Sequence, residues 1–434
     1  MLPLFLIIIL SLYVVRCVVF MFKREDDLSA YAFIILYVYM VFAQVGYVFF
    51  PELSDLMGAY FGEVMFYRAW LFMFLSFVSC FWLYRRFALY RSNSKVIYTV
   101  RPQSGRKVLF YSFLVLLCLW VYFYFYTHRA SFGWGQEHSM GDGYFVLSFR
   151  LFQTSTLILY ASLRQKFSFN KLLLFIACAF IYLQVDVAAG ARSDLLYAFV
   201  GVLFFELYPF VQTVRYNKKK LVLFGILGVL FIQVLLALLE VRATGSISLG
   251  SLIGKASAGS DNDIPAFQKI LAQDYYSPSH TLFLAIKYHF IHPFEVVRSN
   301  IANIIIGSNY PYLTSEIVGL INGSLSRHEG WGFHLFVEGY CFMGMFGFIY
   351  NGIVWNALMI ILHKFVQTNN AYIKRCMIMI CSITIISMMR SQSSQSLQNF
   401  VFTLVPAIIL LSFAFDSGIK ILRTTYKMSY NENS

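Results

Sequence analysis

The sequence is dominated by apolar stretches whose length suits one crossing of a lipid bilayer by an α-helix. Such a helix needs roughly 20 apolar residues, because backbone groups in hydrocarbon must be hydrogen-bonded within the segment itself. We count about eleven stretches of this kind, at positions 1–21, 29–50, 66–84, 108–126, 144–163, 172–188, 195–212, 221–241, 335–362, 377–389 and 397–415. With 59% hydrophobic and 13% charged residues, the composition excludes an ordinary water-soluble domain. The pattern predicts an all-α, polytopic membrane bundle.

Positive charge predicts how this bundle is oriented. About two thirds of the 34 Lys and Arg residues fall in alternate connections between the apolar stretches, and such connections are cytoplasmic. They lie at positions 23–24, 85–107, 164–171, 215–220, 364–375 and 420–427. We therefore expect the N-terminus outside and the C-terminus inside. The net charge of +13 then suits anionic lipid head groups and does not indicate a nucleic-acid partner.

One external connection, at positions 242–334, is much longer than the others and divides the chain into three parts. Residues 1–241 would form transmembrane helices 1–8, and residues 335–434 would form helices 9–11 and a cytoplasmic tail. Apolar periodic pieces at 264–271, 280–290 and 293–305 predict short amphipathic helices that lie along the membrane surface or across a cavity mouth. The aromatic residues of this segment suit either a sugar ligand or anchoring at the interface.

Arginines at the external ends of helices are candidate ligands for a diphosphate, because a charge near hydrocarbon is costly unless it is paired or functional. Arg192 lies in a turn of small residues, and Arg390 precedes a polar run of Ser and Gln. Arg242 and Arg298 are further candidates on the same side. The planar guanidinium can bind phosphate oxygens bidentately. An ion pair of Arg192 with a neighbouring aspartate remains an alternative.

His334 and Glu338 are four residues apart, so they lie on one face of the helix that begins there. Either side chain could accept a proton from a sugar hydroxyl. A helix-capping or interfacial pair is the alternative interpretation. Gly344 and Gly347 follow, and small residues of this kind allow helices to approach closely in membranes.

The sequence shows no metal or nucleotide signature. The seven cysteines lie within or at the ends of the apolar stretches, which is typical of small packing residues and predicts neither a disulfide framework nor a metal cluster. No phosphate-binding loop and no serine nucleophile motif are present. We therefore expect no cofactor and no metal.

These features resemble one known family. The general plan, the turn with Arg192, and the pattern Glu338-x-Tyr340-x-x-x-Gly344-x-x-Gly347 preceded by His334 resemble the polymerases that join O-antigen or capsule repeat units. The same segment is more distantly similar to O-antigen ligases. Leu335, however, stands where the ligases have a polar residue, which favours a polymerase.

The resemblance implies an activity and a place in the cell. A growing glycan would pass from undecaprenyl diphosphate to another carrier-linked repeat unit at the periplasmic face of a bacterial inner membrane. Arg192 and Arg390 would hold the diphosphate, and His334 or Glu338 would activate the acceptor hydroxyl. A chain-length regulator protein is the expected partner, and candidates for sugar contacts are Arg327, His328, Trp331 and Tyr340.

Two other classes of protein stay open. A flippase would move the same lipid-linked units without chemistry, but transporters often contain internal repeats and helices broken at the midplane. We find no repeat in this sequence. In a membrane scaffold, substitution of Arg192 or Glu338 would change only folding.

Overall fold

The computed structural model describes about half of the chain, and the described residues are almost entirely helical, with no strand among them. They are residues 2–23, 27–42, 44, 63–91, 113–122, 142–165, 201–202, 204–206, 277–304, 313, 317, 334–366, 371–389 and 392–415. The prediction of an all-α protein is confirmed for this part of the chain. Hydrophobic stretches without strand periodicity favour helices here, because a helix satisfies its own backbone groups.

We label eleven helices among the described residues, and this number is not a count of membrane crossings. They are α1 Leu2–Lys23, α2 Asp27–Tyr37, α3 Glu63–Arg91, α4 Phe113–Tyr122, α5 Asp142–Gln165, α6 Ser277–Lys287, α7 Pro293–Ile304, α8 Leu335–Met343, α9 Gly347–Val366, α10 Ala371–Met388 and α11 Ser393–Phe415. A π-helical turn, Val38–Phe42, continues α2, and a 3₁₀ turn, Gly344–Phe346, joins α8 to α9.

Three stretches of the described residues are long and apolar enough to cross a membrane, namely Leu2–Met21, Val64–Phe87 and Leu335–Val366. This finding supports the membrane class predicted from the sequence. The number of crossings and the positions of the termini stay predictions. The predicted spans at 172–188 and 221–241 lie outside the described residues.

The chain forms two compact units, each built from segments that are distant in sequence. The first comprises 1–93, 264–364 and 384–399, and the second comprises 94–263, 365–383 and 400–434. The division of the chain at residues 241 and 334 stays a prediction.

Aromatic rings fix the position of α8 inside the first unit. Phe336 of α8 meets Phe77 of α3, with ring centroids 5.5 Å apart, and Phe77 meets Phe33 of α2 at the same separation. Phe33 in turn contacts Trp355 of α9 at 5.1 Å. All four rings are buried, and edge-to-face pairs of this kind are favourable beyond their buried area.

Helices α3 and α9 are joined by amide side chains within this apolar environment. Asn351 Nδ2 donates to Ser76 Oγ at 3.0 Å, and Asn356 Nδ2 donates to the carbonyl oxygen of Cys80 at 2.9 Å. Gly352 allows the close approach, because a Cβ there would overlap Ser79 Oγ. Small residues and interhelical amides of this type hold membrane helices together.

The second unit contains a buried acid, Glu206. Tyr160 OH donates to Glu206 Oε1 at 2.8 Å. Arg375 donates from Nε and Nη2 to the carbonyl oxygen of Phe205, at 3.3 and 3.2 Å, and its guanidinium lies 4.2 Å from the centre of the Phe205 ring. The arginine thus satisfies a carbonyl and stacks on an aromatic ring at the same time.

Candidate functional site

His334 is the N-cap of α8. Its backbone is extended, and its Nδ1 accepts a hydrogen bond from the backbone nitrogen of Phe336 at 2.9 Å. Since Nδ1 accepts, the ring proton of the neutral imidazole is assigned to Nε2, which lies 3.1 Å from Met389 Sδ. Burial lowers the pKa of His334 to about 3. The geometry agrees with the capping interpretation of the His334 and Glu338 spacing.

The apolar run of α8 and α9 is interrupted by Gly344. Its backbone has φ 59° and ψ −136°, a conformation that glycine adopts without steric cost. The first residues of α9 then lie against α8, since a Cβ on Gly347 would overlap the carbonyl oxygen of Gly339. In one straight helix these two residues would be about 12 Å apart, so the chain folds back here.

Glu338 lies at this fold, fully buried, and accepts hydrogen bonds from three other helices. Its Oε1 accepts from Asn300 Nδ2 of α7 at 2.8 Å, from Ser393 Oγ of α11 at 2.7 Å, and from Tyr350 OH of α9 through a short contact. Its Oε2 accepts from the backbone nitrogen of Ser393 at 2.8 Å. Oε1 therefore accepts from three donors and Oε2 from one, which makes Oε2 the less occupied of the two oxygens.

The bond to the Ser393 nitrogen places Glu338 at the start of α11. Orphan amide groups and the helix dipole both favour an anion at a helix N-terminus. No lysine or arginine in the described part of the chain forms an ion pair with Glu338, and the one described ion pair in the first unit joins Arg298 to Glu295 at 3.8 Å. Neutral donors therefore hold this carboxylate.

Helix α7 is fixed to α8 by its N-cap residue. The backbone nitrogen of His292 donates to the carbonyl oxygen of Cys341 at 2.8 Å, and the carbonyl of His292 accepts from Val296. Pro293 is the first helical residue, a position where its missing N–H costs nothing. Asn300 thereby points at Glu338, while Ser299 Oγ contacts Gln392, 3.3 Å from Oε1 and 3.2 Å from Nε2.

Two buried polar atoms, one on a donor to Glu338 and one on the residue that follows Ser393, have no hydrogen-bond partner among the described residues. They are Asn300 Oδ1 and Ser394 Oγ. Asn300 is itself a donor to Glu338, and Ser394 follows another donor, Ser393. Buried polar atoms usually have a partner, so Asn300 Oδ1 marks where a hydroxyl-bearing ligand could bind close to the carboxylate.

The structure brings together only some of the predicted site residues. His334, Glu338 and Tyr340 are all buried in α8 or at its cap, but Tyr340 packs against Phe72 of α3 with ring centroids 5.5 Å apart. Arg298 is exposed on α7. The other candidates lie outside the described residues: Arg192, Arg242, Arg327, His328, Trp331 and Arg390.

Three residues that donate hydrogen bonds to Glu338 were not candidates from sequence: Asn300, Tyr350 and Ser393. Ser393 belongs to the polar run after Arg390, and that run in an apolar region indicated that its residues could contact a ligand. Asn300 lies in the predicted amphipathic piece at 293–305, but nothing in a single sequence pairs it with Glu338. No group of three or more His, Cys, Asp or Glu side chains in the described residues is placed to hold a metal ion.

A scan against protein-family models, a search of curated proteins and a search of solved structures each found no match to this chain.

Proposed function

We propose that this protein is a membrane glycosyltransferase that polymerises lipid-linked oligosaccharide repeat units at the outer face of a bacterial inner membrane. The observation that carries the proposal is Glu338, a buried carboxylate held by neutral donors where an apolar run folds back. A carboxylate in such surroundings is costly, and it is a functional candidate by default. The family resemblance of the segment around it supplies the reaction class.

In the proposed reaction Glu338 accepts a proton from the acceptor sugar hydroxyl. That oxygen attacks the anomeric carbon of the donor glycan, the bond from this carbon to the diphosphate breaks, and undecaprenyl diphosphate leaves with the electron pair. A diphosphate is already a good leaving group, so positioning and charge stabilisation supply most of the catalysis. Arg192 and Arg390, with Arg242 and Arg298, are the proposed ligands of the diphosphate, and no metal is required.

Geometry favours Glu338 over His334 as the proton acceptor. The imidazole Nδ1 of His334 is engaged in capping α8, and its Nε2 contacts Met389. Glu338 Oε2 accepts from one donor only, the backbone nitrogen of Ser393, and Asn300, which donates to Oε1 through Nδ2, has an unpartnered Oδ1. In this proposal His334 fixes the helix that carries Glu338.

A flippase is the second candidate, and the broken α8–α9 run is the observation that favours it. Transporters bind substrates at discontinuous helices. The two functions predict different glycans in the native host, because a flippase delivers units to the outer face whereas a polymerase joins them there.

The test is electrophoresis of surface glycan from a deletion strain that carries wild-type protein, Glu338→Gln or the control Tyr288→Phe at equal membrane abundance. Tyr288 is exposed at the end of α6 and has no proposed role in the site, which makes it a suitable control. We expect single repeat units but no ladder for the deletion and for Glu338→Gln, and a full ladder for the control. Loss of single units as well would indicate a flippase, long chains that remain on undecaprenyl diphosphate would indicate a ligase, and a normal Glu338→Gln ladder would remove Glu338 from the site.

A further inference from the structure

Helix α7 has three faces of different character. Its exposed apolar side chains are Phe294, Val297, Ile301 and Ile304, with exposed fractions of 75%, 45%, 59% and 50%. At 3.6 residues per turn they share one sector about 80° wide. Large apolar side chains exposed in one contiguous stripe indicate a surface that is covered in the working protein.

The two other faces of α7 are one that packs against the protein and one that is charged. Val296, Ser299 and Asn300 form the side turned to the protein, where Asn300 holds Glu338. Glu295 and Arg298 form a charged side, joined at 3.8 Å. The Glu295 direction is about 140° from the centre of the apolar sector. A helix with one protein face, one apolar face and one charged face fits the boundary between hydrocarbon and water.

The apolar face is continuous with the exposed surface of a candidate membrane span. Ile291, just before α7, is itself exposed, and its Cδ1 would lie 2.9 Å from a Cβ on Gly344. Met343 and Phe346 flank that glycine and are exposed, and the stripe continues along α9 through Ile349 and Ile353. Since α9 belongs to a candidate span, its exposed apolar stripe is the surface that lipid would cover, and α7 extends that surface.

Interfacial anchors stand beside the apolar face. Tyr288, at the end of α6, is exposed, and Lys287 Nζ lies 5.6 Å from the centre of its ring. Tyrosine and lysine are typical of the membrane–water boundary, where a ring or a methylene stem sits in lipid and the polar end reaches water.

From this arrangement we infer that α7 is an interfacial helix whose apolar face is immersed in the hydrocarbon of bilayer lipids. One helix therefore contacts lipid with Phe294, Val297, Ile301 and Ile304 and holds the Glu338 carboxylate with Asn300. The inference depends on membrane insertion and not on the chemistry that we propose for Glu338.

The experiment is photo-crosslinking of the full-length protein with p-benzoylphenylalanine at Phe294, at Ile301 or, as control, at Glu295. Each protein is irradiated in native membranes and in nanodiscs of phosphatidylethanolamine and phosphatidylglycerol that hold one copy, and adducts are identified by mass spectrometry. All three side chains are exposed or partly exposed, so the substitutions are compatible with folding. The readout does not require glycan synthesis, so it can fail independently of the proposed function.

We expect adducts with phospholipid acyl chains when the crosslinker is at Phe294 or Ile301, in both preparations. We expect no such adducts when it is at Glu295. An adduct between two copies of this chain, or with another polypeptide in native membranes, would overturn the inference by showing that protein covers the face. Absence of lipid adducts at Phe294 and Ile301, or equal yields at Glu295, would overturn it as well.

Discussion

Helices α8 and α9 belong to one apolar run, yet they occupy different environments. All residues of α8 from Leu335 to Cys341 are buried, including Glu338. Helix α9 is buried on one side only, and Ile349, Ile353 and Ile361 are exposed on the other. At about 13 Å, α8 is too short to cross a bilayer, whereas α9 at about 30 Å is long enough. By hydropathy alone the two would be one continuous helix. The break at Gly344 and the buried carboxylate of Glu338 distinguish α8 from α9.

The largest effect is expected where the two helices touch. In Gly347→Ala the new Cβ would overlap the carbonyl oxygen of Gly339 and lie 2.8 Å from the backbone nitrogen of Tyr340. Backbone atoms cannot move aside cheaply, so we expect a loss of about 3 kcal/mol or more in the free energy of unfolding. Thermal denaturation in detergent and yield of monodisperse protein are the measurements.

Ile353→Ala is the matched control for that substitution, because Ile353 is 56% exposed on the outer side of α9. The control should behave as wild type. If Gly347→Ala were equally stable, α8 would not lie against α9 as described.

The next effect concerns the bond that ties the two helices through the carboxylate. Tyr350→Phe removes one donor from Glu338, and hydrogen bonds to charged groups contribute about 2 kcal/mol. We expect that loss of stability in denaturant titration, together with reduced glycan chain length in the native host. Tyr288→Phe on the exposed end of α6 is the control, and an equal response of the two variants would argue against the Glu338 contact.

A pH effect is expected at the cap of α8. Burial lowers the pKa of His334 to about 3 from its usual 6.5, so the unfolded chain binds a proton below pH 6.5 and the folded chain does not. Stability is therefore complete above pH 6.5 and falls as the pH drops from there towards 3. At pH 5.5 the loss is about 1.4 kcal/mol.

His334→Asn tests this account, since asparagine caps helices well and does not titrate. Unfolding midpoints measured between pH 7.5 and 5.5 should decline less for the variant than for wild type. Parallel declines would mean that His334 titrates normally in the folded protein.

The sequence predicted the helices and the close approach at the glycines, because apolar length and small residues act locally. The same is true of the shared face of His334 and Glu338, although spacing alone left a base and a cap equally open. The break at Gly344 was not predicted, since a glycine inside an apolar run does not change its hydropathy enough to divide it. The donors Asn300 and Tyr350 could not be found from the sequence alone, because they are 38 and 12 residues from Glu338 and only the tertiary fold brings them to it.

The smallest effect is expected at the polar contacts of α9, the helix that is long enough to cross a bilayer. Asn356 donates to the carbonyls of Cys80 and Gly352, yet interhelical hydrogen bonds in membranes average only about 0.6 kcal/mol, because these groups also find partners when the helices separate. Asn356→Ala should therefore cost about 1 kcal/mol or less in denaturant titration. Ile361→Ala, on the exposed side, controls for the loss of side-chain volume. A loss as large as that of Tyr350→Phe would show that α9 depends on its polar contacts as strongly as α8 does, and the distinction between the two helices would fail.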